Sequence, residues 1–370
     1  MDVCQSCFGE SAALQRRFDE RGVGGCCPTC GAEKVQVLDA GQLSDLFEGL
    51  KDYYEPLIGD RYPLGKDGVR GLGPDTGDDS LVEILRESWD VFSDAVSDEK
   101  ANEILESVFH GYIGEYMRRG ADLWREVSIE WDRLKQYLKH EWRFFETAGP
   151  TDNAFVRTLD AWVEALGSQI TCRRWYRARI QDSREARFGD DTMGAPAPEK
   201  ARAGRANSSG IPHLYVASDE RTAVSEVRAE PGEWVTLATV EIVGDDLRVL
   251  DLTRVVRIVD PFATPDLHQA LMVREFLNIL SYELSRPVRP DDHEIDYVAT
   301  QFLSEYFRKQ GLSGIVYPSA LAEGTNAVFF DPTIGRTGDC EQRFVWSKAL
   351  DIVDPAEFER RDRKRRGYGW

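Results

Sequence analysis

The sequence predicts an α+β chain in four parts: a four-cysteine module over residues 1–37, an α-helical bundle over 38–167, a mixed α/β domain over 168–355 and a basic tail over 356–370. Three observations carry that division. Two cysteine pairs lie near the start, apolar residues then recur at three- and four-residue steps, and short apolar runs bounded by turns follow from Thr171 onward.

Cys4, Cys7, Cys27 and Cys30 are spaced as C-x2-C, a 19-residue gap and a second C-x2-C. Such spacing suits a four-thiolate zinc site with each pair on a tight turn, and Gly24, Gly25 and Gly31 supply the backbone freedom those turns need. Four thiolates fill a tetrahedral sphere and leave no place for water. The module therefore reads as a structural zinc ribbon, with Cys26 open as a substitute for Cys27. Cys172 and Cys340 lack such partners and read as core cysteines.

From residue 41 to 166 the period is helical. Ile104, Leu105, Val108, Phe109, Tyr112, Ile113, Tyr116 and Met117 form one apolar face, and Leu81–Val96, Leu123–Phe145 and Phe155–Leu166 repeat the pattern. Between them, Gly65-Lys66-Asp67 lacks the Ser or Thr that a phosphate loop places after Lys, so it reads as a plain loop. After Thr171, strands are expected at Trp175–Ile180, His213–Ala217, Trp234–Val243, Leu247–Leu252, Gly314–Tyr317 and Ala327–Phe330, with helices at Leu267–Leu284 and Ile295–Gln310. The polar stretch Asp182–Ala203, with Pro196 and Pro198, reads as a long loop of the kind that serves as a lid or cover.

Charge narrows the function classes. A formal charge of -19 makes the body repulsive to a phosphate backbone, so nucleic acid is expected only at Arg360–Arg366, with six basic residues and one Asp, or at the helical region. No basic-then-apolar leader and no 18-residue uncharged run is present, so no membrane role is expected and the cytoplasm is.

The stretch Gly204–Arg228, GRANSSGIPHLYVASDERTAVSEVR, holds an Arg, a Tyr and a Glu in one turn–strand–helix unit. Its helix is expected to start at Ser218, ahead of Asp219 and Glu220. Arg205 can grip a phosphate through paired hydrogen bonds, Tyr215 can stack on a planar base, and Glu226 can support a developing oxocarbenium charge. The same three residues also suit a surface Arg, a core Tyr and a solvated Glu. The five histidines stand beside no nucleophile motif.

Four stretches in order, WYRAR from Trp175, the Gly204–Arg228 segment, YVATQFLSEYFRKQGLSGIVYPS ending at Ser319 and GTNAVFFD ending at Asp331, resemble the RES family, named for an Arg, a Glu and a Ser. The resemblance implies a fold similar to the catalytic core of ADP-ribosylating toxins. It also implies toxin-type consumption of NAD, by glycohydrolysis, phosphorolysis or ADP-ribosyl transfer to a protein target, with an antitoxin or other regulatory partner. Carried over by position, Arg177 and Arg205 would hold phosphates and ribose, Tyr215 would stack on nicotinamide, and Glu226 would stabilise the cationic ribose. Ser319 would bond the nicotinamide riboside end with Asn326 in support; catalysis would rest on Glu226, Arg205 and Ser319. Ala206 departs from the family, where many relatives carry Trp.

The helical region resembles the HEPN/RES N-terminal class, and Arg133 and His140 fit its R-x6-H spacing. That implies either a ribonuclease pairing these residues across a homo-oligomer, or a module that binds a partner or restrains the NAD-consuming domain in cis. A non-enzymatic interaction module built on the zinc ribbon is the third reading.

Overall fold

The computed structural model describes residues 1–56, 80–111, 116–117, 120–141, 156, 159, 166–255, 260–263, 267–286, 293–346 and 352–355. The basic tail, the Gly65-Lys66-Asp67 loop and most of Phe155–Leu166 lie outside them. Two compact units result, Met1–Trp131 with Arg254–Phe276, and Asp132–Thr253 with Leu277–Trp370.

In the first unit, β1 (Asp2–Cys4), β2 (Val23–Gly25) and β3 (Val35–Asp39) make an antiparallel sheet with β3 in the centre. Between β1 and β2 runs α1 (Ala12–Arg21), capped by Ser11, whose hydroxyl accepts from the Leu14 N–H at 3.1 Å. There follow α2 (Ser44–Tyr53), β4 (Glu55–Pro56), α3 (Leu81–Trp89), α4 (Asp98–Val108), β5 (Tyr116–Met117) and α5 (Gly120–His140), of which the part from Asp132 belongs to the second unit. The Phe8 ring meets Phe18, Phe47 and Phe92 at 5.8–6.3 Å and centres the core. Two expected helices stop early for local reasons. Asp90 turns left-handed at φ 53° and ends α3 seven residues short of Val96's expected place in it; His110 at φ 56° follows the end of α4, and Tyr116–Met117 is strand.

The second unit is built on a nine-stranded sheet. Its strands are β6 (Gly167–Gln169), β7 (Arg174–Ile180), β8 (Leu214–Ala217), β9 (Trp234–Ile242), β10 (Arg248–Asp251), β11 (Gly314–Pro318), β12 (Thr325–Phe329), β13 (Gly335–Val345) and β14 (Ile352–Val353), in the order β14-β13-β9-β7-β8-β12-β11-β10-β6. Strands β10 and β11 run parallel, and the other neighbours antiparallel. The chain is thus α+β, with a mixed sheet. Strand β13, GRTGDCEQRFV, has neither an apolar run nor alternation to betray it; ladder pairing to β9, with a bulge between Gly338 and Glu341, makes it a strand.

The helices of this unit are α6 (Glu220–Glu226), α7 (Leu267–Ser285, its first part in the other unit), α8 (His293–Asp296) and α9 (Val298–Lys309). Asp219, not Ser218, caps α6, accepting from Thr222 N–H at 2.8 Å, while the Ser218 hydroxyl accepts from Thr325 N–H at 2.9 Å. Ala178, Ala217 and Ala223 pack between α6 and the sheet, and side chains this small let the helix lie close to β7 and β8. The stretch Asp182–Ala203 is not a loose cover. Met193 within it is fully buried against Ala238 and Cys340, and Phe188 packs at the edge of that cluster. Cys340 is buried as expected; Cys172 is exposed, because it precedes β7.

Candidate active site

Strands β7 and β8 meet at one register pair, Tyr176 and Ala217, and then part. Where the ladder would continue, Arg177 extends its side chain instead: Nη1 donates to the Tyr215 carbonyl at 2.6 Å, while the buried Nε has no partner among the described residues. Burial, then neighbouring Arg179, draws the Arg177 guanidinium down to about 10 from its ordinary value, so it stays charged at neutral pH with a donor to spare.

Beside the parted strands lies a cavity of about 1070 Å³, and Arg177, Arg202, Arg205, Tyr215, Glu226 and Asn326 are on its wall. That volume is at the top of the range of small-molecule sites and suits a dinucleotide rather than a fragment. Three guanidinium groups around one carboxylate, in a chain of net charge -19, make a local field that attracts an anion with several negative charges.

Arg205 is set by its loop. Gly204 N–H donates to the Asn207 carbonyl at 2.9 Å, and Tyr215 Oη donates to Asn207 Oδ1 at 2.8 Å while accepting from Ala206 N–H at 3.0 Å. A side chain on Gly204 would meet both groups, its Cβ lying 2.5 Å from Asn207 Oδ1 and 2.8 Å from Tyr215 Oη, so only glycine fits. From α9, Thr300 Oγ1 donates to the Arg205 carbonyl at 2.5 Å and Gln301 Nε2 to the Gly204 and Asn207 carbonyls at 2.8 and 3.0 Å. The Arg205 guanidinium donates to the Arg286 carbonyl at 2.6 Å and faces the Tyr297 ring at 5.8 Å. Ala206, where an indole was expected from the resemblance, is fully buried, and the wall beside it is closed by the Tyr215–Asn207 bond.

Glu226 ends α6, and both partners converge on one of its oxygens: Oε1 accepts from Ser319 Oγ at 2.6 Å and from Asn326 Nδ2 at 2.7 Å. Oε2 takes no hydrogen bond among the described residues. Ser319 follows β11 and its Oγ accepts from the Leu321 and Ala322 N–H groups at 3.1 and 3.2 Å, which fixes the hydroxyl proton on Glu226. Asn326 reaches the same carboxylate from β12, in register with Tyr317. The Gly204–Arg228 unit, β7 before it and β12 after it thus bring Arg177, Arg205, Tyr215, Glu226 and Asn326 to one cavity, with Ser319 behind Glu226 rather than on the cavity wall.

Sequence reading missed Asn207, Thr300, Gln301 and the wall residues Tyr297 and Tyr317. Thr300, Gln301 and Ser304 interrupt the apolar face of α9, and buried polar interruptions of that kind were the available sign.

The cysteine cluster lies in the first unit. The sulfurs of Cys4, Cys7, Cys27 and Cys30 all fall within 4.8 Å of one another, with 3.5 Å between Cys4 and Cys30 and 3.6 Å between Cys7 and Cys27. A tetrahedral four-thiolate zinc site has edges of about 3.8 Å, so the donor set fits. Cys26 is exposed, its thiol 4.0 Å from the Gly31 carbonyl, and stands outside the cluster. Arg133 and His140 are both exposed on α5, two turns apart.

No described helix is long and apolar enough to cross a membrane. No curated protein matches the chain. Among solved structures, a chain from the M. tuberculosis MbcT–MbcA toxin–antitoxin complex aligns at 17% identity and a TM-score of 0.30, covering 56% of this chain and 98% of that one, a likeness too loose to bear on the site. Residues 174–347 match the model of the RES domain. They span the parted strands, the arginine loop, Glu226 and Asn326, so the segment that builds the cavity is the one similar to the RES domain.

Proposed function

We propose that the chain cleaves the nicotinamide–ribose bond of NAD. One observation carries the reading: a carboxylate held on a single oxygen by Ser319 and Asn326, with its other oxygen left over, in a dinucleotide-sized cavity whose remaining charges are arginines. Arg177 and Arg205, both on the cavity wall, hold the diphosphate and ribose, and the Tyr215 ring lies against nicotinamide. As the bond to the ribose C1′ breaks, its electron pair passes to the ring nitrogen, nicotinamide leaves neutral, and the positive charge on the sugar meets Glu226. Ser319 and Asn326 orient that carboxylate. A nucleophile then adds to C1′ and loses its proton; water, phosphate or a protein side chain gives glycohydrolysis, phosphorolysis or ADP-ribosyl transfer.

The match of residues 174–347 to the RES domain supports a toxin role with an antitoxin as partner. The four-cysteine cluster holds structural zinc, and the N-terminal region regulates the NAD site in cis. A four-thiolate zinc site and an NAD substrate both suit the cytoplasm, the compartment of this reading. Mass analysis of the products from labelled NAD tests the reaction: nicotinamide with a matching ADP-ribose product is expected, and intact NAD after prolonged incubation with folded protein overturns it.

A further inference from the structure

Arg205 leans on two groups, the Arg286 carbonyl just past α7 and the Tyr297 ring between α8 and α9. Ion pairs tie both to α5. Lys135 Nζ bonds Glu283 Oε1 at 3.2 Å, and Glu283 Oε2 accepts from Arg286 Nε at 2.6 Å, closing a chain from α5 through Glu283 and Arg286 to Arg205. One turn on, Lys139 Nζ bonds Asp296 Oδ1 at 2.7 Å, directly before Tyr297. These residues all belong to the second unit.

Burial separates these pairs from ordinary surface pairs. Lys135 and Glu283 are 21% and 10% exposed and Lys139 and Asp296 14% and 28%, whereas Asp132, which also pairs with Lys135 at 2.9 Å, is 67% exposed. Replacing the lysines cuts both ties between α5 and these segments, although Glu283 keeps Arg286, so each segment is freed to shift; an exposed pair is lost with little effect. The segments that would shift are those against the Arg205 guanidinium. The end of α7 is further fixed where Ser285 Oγ donates to the Pro318 carbonyl at 2.8 Å, one residue before Ser319.

We infer that the last two turns of α5 set the working position of the cavity's Arg205, with Lys135 and Lys139 as positioning residues acting through Glu283 and Asp296. The inference rests on the NAD reading only where NAD is the probe. In the full chain, Lys135→Met with Lys139→Met raises the KM for NAD roughly tenfold and leaves kcat within about twofold, because the change falls on substrate holding rather than on Glu226. Arginine at both positions restores KM, and Asp132→Asn leaves it unchanged. Without ligand, hydrogen exchange at the 204–207 amides speeds up in the methionine variant and not in the arginine one. Unchanged exchange there in a folded methionine variant overturns the inference, as does a loss of turnover that follows the folded fraction and is not restored by arginine. If the wild type releases no nicotinamide, the NAD reading fails, and the exchange measurement alone decides the coupling.

Discussion

The cysteine cluster and the arginine–glutamate cavity are both polar sites, but they differ in what is left over. Four sulfurs within 4.8 Å of one another saturate a tetrahedral ion and have no valence to offer a substrate. In the cavity, Arg177 keeps a buried Nε that has no partner among the described residues, where an unused donor is costly, and half-buried Glu226 keeps an oxygen that takes no hydrogen bond among them. A closed donor set builds structure; spare donors and acceptors on a cavity wall await a ligand. The two also differ in sequence distance, since the sulfurs come from two short knuckles and the cavity groups from residues 177 to 326.

Metal removal is expected to divide the regions most sharply. A structural zinc contributes on the order of 10 kcal/mol to its module, so a strong chelator or Cys7→Ser abolishes hydrogen-exchange protection across residues 1–39. Protection in β7, β8 and β12 is expected to survive; joint loss would erase the contrast. Mild acid acts on the other region. Burial, then Arg308, lowers the His213 imidazole to about 4 from its ordinary 6.5, so between those values the unfolded chain binds a proton that the folded chain refuses. Stability therefore falls as pH drops from about 6.5 to 4, by up to about 3 kcal/mol, and His213→Phe flattens that part of the stability–pH curve. An equally steep curve in the variant would remove His213 from the account. A smaller effect is expected at Asn207, whose Nδ2 serves the Arg202, Ser208 and Ile211 carbonyls at 2.9–3.1 Å and whose Oδ1 holds Tyr215. Asn207→Ala costs about 2 kcal/mol and raises the KM for NAD. An unchanged KM would mean that the Arg205 loop keeps its place without that residue.

Much of the fold could be read ahead because its causes are local. Period-2 and 3.6-residue patterns located β7, β8, β9, α7 and α9, since each buries one face against a neighbour. Strand β13 was invisible because ladder pairing to β9, not its own composition, makes it a strand. The early ends of α3 and α4 depend on left-handed Asp90 and His110, residue types that adopt that conformation more often than most but sit elsewhere far more often still. At the cavity, the residues named from sequence were those of distinctive chemistry. Thr300 and Gln301 escaped because their role is to bond a loop's carbonyls across about a hundred residues of chain, a distance that period and spacing do not span. Cys27 was likewise separable from Cys26 only once the turn fixed which thiol points inward.

The proposed reaction turns on Glu226 meeting a positive ribose carbon. Nicotinamide release from NAD by the full chain, set beside Glu226→Ala at matched folded fraction, tests that step most directly. A loss of roughly 10²- to 10⁴-fold is expected in the variant, as for removal of a group that acts in the transition state. Equal release by the two proteins would contradict it.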